Sequence, residues 1–207
     1  MWGTRVHKSS VFRDSEPVVS APDRGLIPIN GNNTQAWVRG AQQGDVESFE
    51  NLYRHYVGLI YGLCLRMLAN PVDAEDCVQM TFVKAWSQIE RFEGRSDFGT
   101  WLHRIAVNEV LMEDRRRQRR FELVRARDEL SEGATDSQIT LDIERAIAAL
   151  PVRRRHVFVL KAVYGYSHEE VSEFLGIAAG TARAQYHQAR RTLMSQLTTE
   201  ERDEPAR

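Results

Sequence analysis

Cysteine is nearly absent from this chain. Two occur among 207 residues, Cys64 and Cys77, and they form no Cys-x-x-Cys pair. That excludes a dense disulfide framework and a zinc ribbon. Both sit inside apolar helical patterns and read as small buried hydrophobes of a reducing compartment, with one bridge between them as the alternative. No apolar run approaches the roughly 18 residues of a membrane span. Met1 to Ser10 has no apolar core of signal-peptide length. A cytoplasmic protein without membrane insertion is expected. The six histidines, at 7, 55, 103, 156, 168 and 187, take no paired ligand spacing, and no glycine-rich phosphate loop occurs. No metal, cofactor or catalytic site is therefore expected.

Net charge is also close to nothing, at −1, so global charge selects no partner. Its distribution does. Arg145 to Gln196 holds eight cations against three carboxylates, whereas Phe121 to Glu144 holds seven carboxylates against two arginines. A basic terminal module behind an acidic connector points to an anionic partner for that module.

The basic module contains the most informative stretch, Tyr166 to Leu197. Ser167 followed by Glu170 is a capping-box pattern. Val171, Phe174 and Leu175 then give one apolar face, and Gly176 suits a helix end in the left-handed conformation. A second helix follows, with Ala182, Tyr186, Ala189 and Leu193 on one side and Arg183, His187, Arg190 and Arg191 on or beside the other. Neither Ala178 nor Ala179 offers it a side-chain cap. Two short helices joined by a tight turn, the second basic, match a helix-turn-helix. An ordinary antiparallel helix pair would share the capping pattern. The small residues before Arg183 and the cations after it favour a helix lying in a nucleic-acid groove.

The rest of the chain also reads as helical. Residues 1–33 mix Ser, Pro, Asp, Gly and Asn without periodicity and read as a mobile extension. From Val46, apolar residues recur at helical steps through Phe49, Leu52, Tyr53, Tyr56, Ile60, Leu63, Cys64 and Met67. Asn70-Pro71 breaks the pattern, and Asp73 is expected to cap the next helix. That helix should bury Cys77, Val78, Thr81, Phe82, Ala85, Trp86 and Ile89. Its acidic residues near the start suit the helix dipole, or else form a docking face for a basic partner. Arg91 to Gly99 is a breaker-rich loop. Thr100 opens a helix that ends in Asp114-Arg-Arg-Arg-Gln-Arg-Arg120, a phosphate-contacting run or a solvated basic helix end. With Phe92, Phe98 and Trp101 nearby it suggests single-strand binding, although Phe98 and Trp101 fit a core better than a stacking platform. Residues 121–142 read as a flexible acidic linker, and 198–207 as a tail. The fold class expected is all-α, with two small helical domains at 34–120 and 143–197.

Four segments carry a family resemblance: Asp73-Ala-Glu-Asp-Cys-Val-Gln-Met-Thr-Phe-Val-Lys-Ala-Trp86, Phe92-Glu-Gly-Arg-Ser-Asp-Phe-Gly-Thr-Trp-Leu-His-Arg-Ile-Ala-Val-Asn108, Leu150-Pro-Val-Arg-Arg-Arg-His-Val-Phe158, and Tyr166 to Leu193. In this order and spacing the chain resembles bacterial RNA polymerase sigma factors of the extracytoplasmic-function (ECF) group. The resemblance implies a first domain like sigma region 2 and a second like region 4, without the middle domain of primary sigma factors. It implies core RNA polymerase as partner, through the β′ clamp helices and the β flap, together with promoter DNA and an anti-sigma factor. Asp73, Glu75, Asp76 and Gln79 would meet the polymerase. Arg95, Ser96, Asp97, Phe98, Asn108, Arg115, Arg116 and Arg119 would meet the −10 element, with a flipped base held by the loop. Ser167, Thr181, Arg183, His187, Gln188, Arg190 and Arg191 would meet the −35 element. Relatives often carry Arg at the positions of Gln185 and Gln188, Val at Ala182 and Glu at Met80; Gln can still pair bidentately with adenine, so the resemblance implies −35 binding but leaves the preferred −35 sequence open. Two other classes compete. A stand-alone regulator needs a sensor pocket or phosphoacceptor, and an enzyme needs a site constellation; the sequence supplies neither.

Overall fold

The computed structural model describes residues 31–125 and 142–203. Residues 1–30 of the expected 1–33 extension, most of the expected linker and the last four residues lie outside the described residues, and the last three residues of that extension are instead the first of a helix that begins at Gly31. Eight α-helices are present among those described, and no strand. The first domain holds α1 (Gly31–Gln42), α2 (Val46–Leu68), α3 (Pro71–Gln88) and α4 (Phe98–Arg125). The second holds α5 (Asp142–Ala149), α6 (Val152–Phe158), α7 (His168–Leu175) and α8 (Ala179–Asp203). A π-helical turn, Val159–Val163, continues α6.

The first domain is built around α2, whose stripe of Leu52, Tyr56, Ile60, Leu63, Cys64, Met67 and Leu68 is fully buried. Helix α3 answers with Ala74, Cys77, Val78, Phe82 and Ala85, and α4 with Leu102, Ala106, Val107 and Val110. Burying such side chains contributes about 1.5–3 kcal/mol each, which is what holds short helices together. Both cysteines are free and buried. Burial raises both thiols well above their ordinary value, Cys77 to about 12, so neither is a thiolate at neutral pH.

Helix boundaries follow local chemistry, and several features depart from the sequence expectation. Asn70, not Asp73, caps α3: its side-chain oxygen accepts from the Val72 and Asp73 N–H groups, with Pro71 at the first helical position. Trp86 is not buried but 39% exposed, one edge resting on Phe49 with the rings 4.8 Å apart. Helix α4 starts at Phe98 rather than Thr100 and continues to Arg125, five residues into the stretch expected to be linker. Helix α8 likewise runs past Leu197 to Asp203.

The two domains touch. Helix α2 meets α5 and α6, and α4 meets α7. The contact centres on Arg155 of α6, whose guanidinium is buried. Its Nε donates to the Met67 carbonyl at 2.9 Å, one Nη to Leu68 at 3.4 Å and the other to Ala148 at 2.6 Å. The last carbonyls of a helix lack intrahelical partners and carry the negative end of its dipole. The Ala69 N–H, in the left-handed conformation, takes the Leu65 carbonyl, and Arg155 takes two of those that remain. Around it, Arg66 pairs with Glu144 at 2.9 Å, and Arg104 lies 5.4 Å from the centre of the Phe174 ring. The His156 Nε2 stands 3.0 Å from the Asp114 carboxylate. On the far side, His103 Nδ1 and the Tyr166 hydroxyl share a buried hydrogen bond of 2.9 Å.

Burial lowers the His103 pKa to about 4. The unfolded chain takes up this proton near pH 6.5, while the folded chain resists it until about pH 4. Stability should therefore fall as pH drops through that window, by about 2–3 kcal/mol from this group. His103→Gln keeps a hydrogen-bonding side chain but does not titrate. Urea unfolding at about pH 7 and about pH 4.5 should show a smaller acid loss for H103Q than for the wild type; equal losses would refute the assignment.

Candidate nucleic-acid interface

The expected helix-turn-helix is α7, its turn and α8. Ser167 Oγ accepts from the Glu170 N–H at 3.1 Å, and the Glu170 carboxylate accepts from the Ser167 N–H at 2.6 Å. Gly176, at φ +63°, turns the chain, and the Ile177 N–H returns to the Ser172 carbonyl. This conformation strains any residue with a Cβ. Helix α8 is then held by Ala182, Ala189 and Leu193 in the core and by Tyr186 stacked on Phe158, the rings 16° from parallel. The same register leaves Thr181, Arg183, His187, Arg190 and Arg191 exposed, with Gln188 half-buried beside them. Arg183 lies 4.0 Å from Glu169 across the turn, with both side chains mostly in water. A pair so exposed and so long is worth little and can exchange its carboxylate for another anion. Desolvation, followed by the Lys161 and Arg183 charges, holds His168 below its ordinary pKa.

The second expected surface is the loop before α4 and the exposed side of that helix. Gln42 of α1 fixes the loop's start by donating to the Ile89 and Phe92 carbonyls. Phe98 fixes its end: the ring is buried, 5.4 Å from the Tyr56 and Trp101 rings and 5.8 Å from Phe92. Phe98 thus supports the loop from beneath, while Arg95, Ser96 and Asp97 stand exposed at its tip. Arg95 pairs with Glu93 at 2.6 Å in solvent. Along α4, Asn108, Met112, Arg115 and Arg119 follow at steps of four, three and four on one exposed face.

The arginine run splits three ways. Arg115 and Arg119 continue the Asn108 face. Arg116, at 3.5 Å, and Arg120 both engage the Glu113 carboxylate. Arg117 turns inward, 3.4 Å from Asp73 and within reach of the Leu68 carbonyl. Of the arginines expected at this surface, Arg95 and Arg116 are each paired with a carboxylate, Glu93 and Glu113.

The acidic start of α3 forms a third face. Glu75, Asp76 and Gln79 are exposed, whereas Asp73 is drawn aside by Arg117. The sequence reading missed the apolar part of this face. Val72, Met80 and Val83 are exposed on the same side of the helix, with Trp86 at its end. The signal was available: Val72, Met80 and Val83 fall outside the stripe that the other apolar residues of α3 complete. An exposed apolar strip rimmed by carboxylates marks a protein contact rather than a nucleic-acid contact. Among the described residues no group of His, Cys, Asp and Glu could hold a metal, and no helix is long and apolar enough to cross a membrane.

Comparison with known proteins agrees with this geometry. Residues 52–120 match the Sigma-70 region 2 model, and residues 140–193 match the Sigma-70 region 4 model. The chain is 32% identical over 177 residues to the ECF RNA polymerase sigma factor SigW of Bacillus subtilis, spanning 77% of this chain and 94% of that one. Two solved structures share the fold. One is the sigma factor RpoE in complex with the anti-sigma factor NepR from Bartonella quintana, at 26% identity and TM-score 0.59, covering 74% of this chain and 98% of that one. The other is CnrH in complex with the cytosolic domain of CnrY, at 25% identity and TM-score 0.54, covering 81% and 98%.

Glu113 offsets two arginines beside the Asn108 face. Glu113→Gln should release both for phosphate contact and steepen the salt dependence of single-stranded oligonucleotide binding by about 1.4 in the log–log slope. Fluorescence anisotropy across a salt series would measure it, and an unchanged slope would show that Arg116 and Arg120 stay away from phosphate.

Proposed function

This chain belongs to the ECF sigma factors of RNA polymerase, and from that premise we propose which of its surfaces meets which partner. The protein directs polymerase to promoters and is controlled by an anti-sigma factor. It supplies specificity while the polymerase performs the bond chemistry, and it acts in the cytoplasm, where that enzyme works.

The first domain, residues 34–120, reads the −10 element. Arg95, Ser96 and Asp97 at the loop tip and Asn108 on α4 receive a base turned out of the stack. Arg115 and Arg119 hold the adjoining phosphates, and Arg116 joins them by leaving Glu113. Unstacking a base costs a few kcal/mol, and a pocket that captures it offsets that cost without ATP. The second domain, residues 143–197, reads the −35 element. Helix α8 enters the major groove with Arg183, His187 and Gln188 at base edges. Thr181, Arg190 and Arg191, together with Ser167 at the start of α7, contact phosphate. The face of α3 made by Glu75, Asp76, Gln79, Val72, Met80 and Val83 docks on the β′ clamp helices, with Asp73 at its edge, and the second domain meets the β flap.

One observation carries this reading. Three surfaces of different chemistry lie exposed on three separate elements, each held by its own buried side: cationic on α8, polar and cationic on the loop and α4, acidic and apolar on α3. A single-site DNA-binding module needs only the first.

Asp76→Arg should abolish polymerase capture in a pull-down while leaving the thermal unfolding midpoint within about 2 °C of wild type, as surface changes usually do. Undiminished capture would remove α3 as the docking face. Arg183→Ala should weaken discrimination at one −35 position by about 1–3 kcal/mol in holoenzyme binding. A uniform loss across all sequences would make Arg183 a phosphate contact instead.

A further inference from the structure

Resting on the functional reading above, we infer that Lys84 of α3 is a positioning residue for base capture. Through Glu109 and Met112 it ties the polymerase-docking helix to the strand-reading face of α4, so that docking strengthens the grip on the −10 strand.

Lys84 stands at the junction of the two surfaces. It follows Val83 of the exposed apolar strip on α3 and lies one turn beyond Met80. Its half-buried side chain crosses to α4, where the ammonium donates to the Glu109 carboxylate. The same nitrogen stands 3.9 Å from the Met112 sulfur. Glu109 directly follows Asn108 in the chain, and Met112 lies between Asn108 and Arg115 on the exposed face of α4. One cation thus adjoins the docking strip at its root and the reading face at its tip.

Burial makes this tie firm. The Glu109 side chain is 7% exposed, and a carboxylate so far from water must keep its cation. The Arg95–Glu93 and Arg54–Glu50 pairs lie in solvent and can exchange partners freely. A shift of α3 at Lys84 is therefore passed to α4 at Glu109 through a continuous ionic contact. Its position on α4 matters as much. Asp73 and Arg117, 3.4 Å apart, join the start of α3 to the same helix. Arg117, however, lies nine residues beyond Asn108, about 13 Å along a helix axis. The Lys84–Glu109 pair sits beside the reading residue itself.

Replacing both partners, Lys84→Met with Glu109→Leu in the full chain, removes the tie without stranding a buried charge. The probe is a labelled single-stranded oligonucleotide carrying the −10 motif that wild-type holoenzyme enriches from a random pool. Core polymerase should raise the wild-type chain's affinity for this oligonucleotide, and by linkage the oligonucleotide should raise its affinity for polymerase by the same factor. The double variant should lose about tenfold of that factor, while its affinities for the oligonucleotide alone and for polymerase alone stay within about twofold of wild type. Lys84→Arg keeps the cation and should keep the factor. An unchanged factor in the folded double variant would overturn the inference. So would weakened binding to polymerase alone, which would make Lys84 a docking contact. If the double variant fails to fold, Glu109→Gln, which keeps the shape and removes the charge, decides by the same ratio. If wild-type holoenzyme enriches no such motif, the −10 reading falls and this inference with it.

Discussion

Helix α2 is the member that everything else is fitted to. Its 23 residues put Leu52, Tyr56, Ile60, Leu63, Cys64, Met67 and Leu68 on one buried stripe, against which α1, α3 and α4 assemble. Its last turn then presents carbonyls that its own backbone cannot satisfy. A helix end placed at a domain boundary needs an external donor, and the second domain provides one in Arg155. That guanidinium is itself far from water, and burial pulls its pKa below the ordinary value, with Asp114 opposing the shift and Arg117 adding to it. A buried cation is tolerated only where its hydrogen bonds are complete. Satisfaction is therefore mutual: the helix end needs the arginine, and the arginine needs the helix end.

The parts of the fold legible in the sequence are those that repeat or punctuate. The α2 stripe, the Ser167–Glu170 capping box, the Gly176 turn and the Ala182–Tyr186–Ala189–Leu193 side of α8 follow from spacing and conformational preference, and each stands where the pattern implied. The parts not legible depend on competition between equivalent residues or on partners distant in sequence. Asn70 and Asp73 are both good caps. Asn70 prevails because it immediately precedes Pro71, whose fixed φ suits the first helical position, and Asp73 is left to pair with Arg117. Trp86 fits the apolar period of α3, yet it reaches the rim because Phe49 already fills the space beneath it. Arg155 reads as one of three successive arginines. Its neighbours Arg153 and Arg154 look the same in the sequence, and what sets Arg155 apart includes acceptors 87 and 88 residues away.

The candidate surfaces show the same division. The sequence supplied the residue types of the α8 face, the loop tip and the acidic start of α3. It did not supply their pairing. The arginine run of α4 looks uniform as text, but a helix rotates its members by about 100° each, sending Arg117 inward, Arg116 and Arg120 to Glu113, and Arg115 and Arg119 to the face of Asn108. The effective cationic surface is thus smaller than the composition suggests. A chain of low net charge with split, partly self-paired cations suits recognition that becomes strong only when another protein fixes both domains on the same DNA.

Transcription from a randomised promoter library with reconstituted core polymerase tests this account most directly. With the chain present, transcripts should start at a fixed distance downstream of two enriched motifs separated by a constant spacer. A set of start sites unchanged by the chain, or a single enriched motif with no fixed spacing, would contradict it.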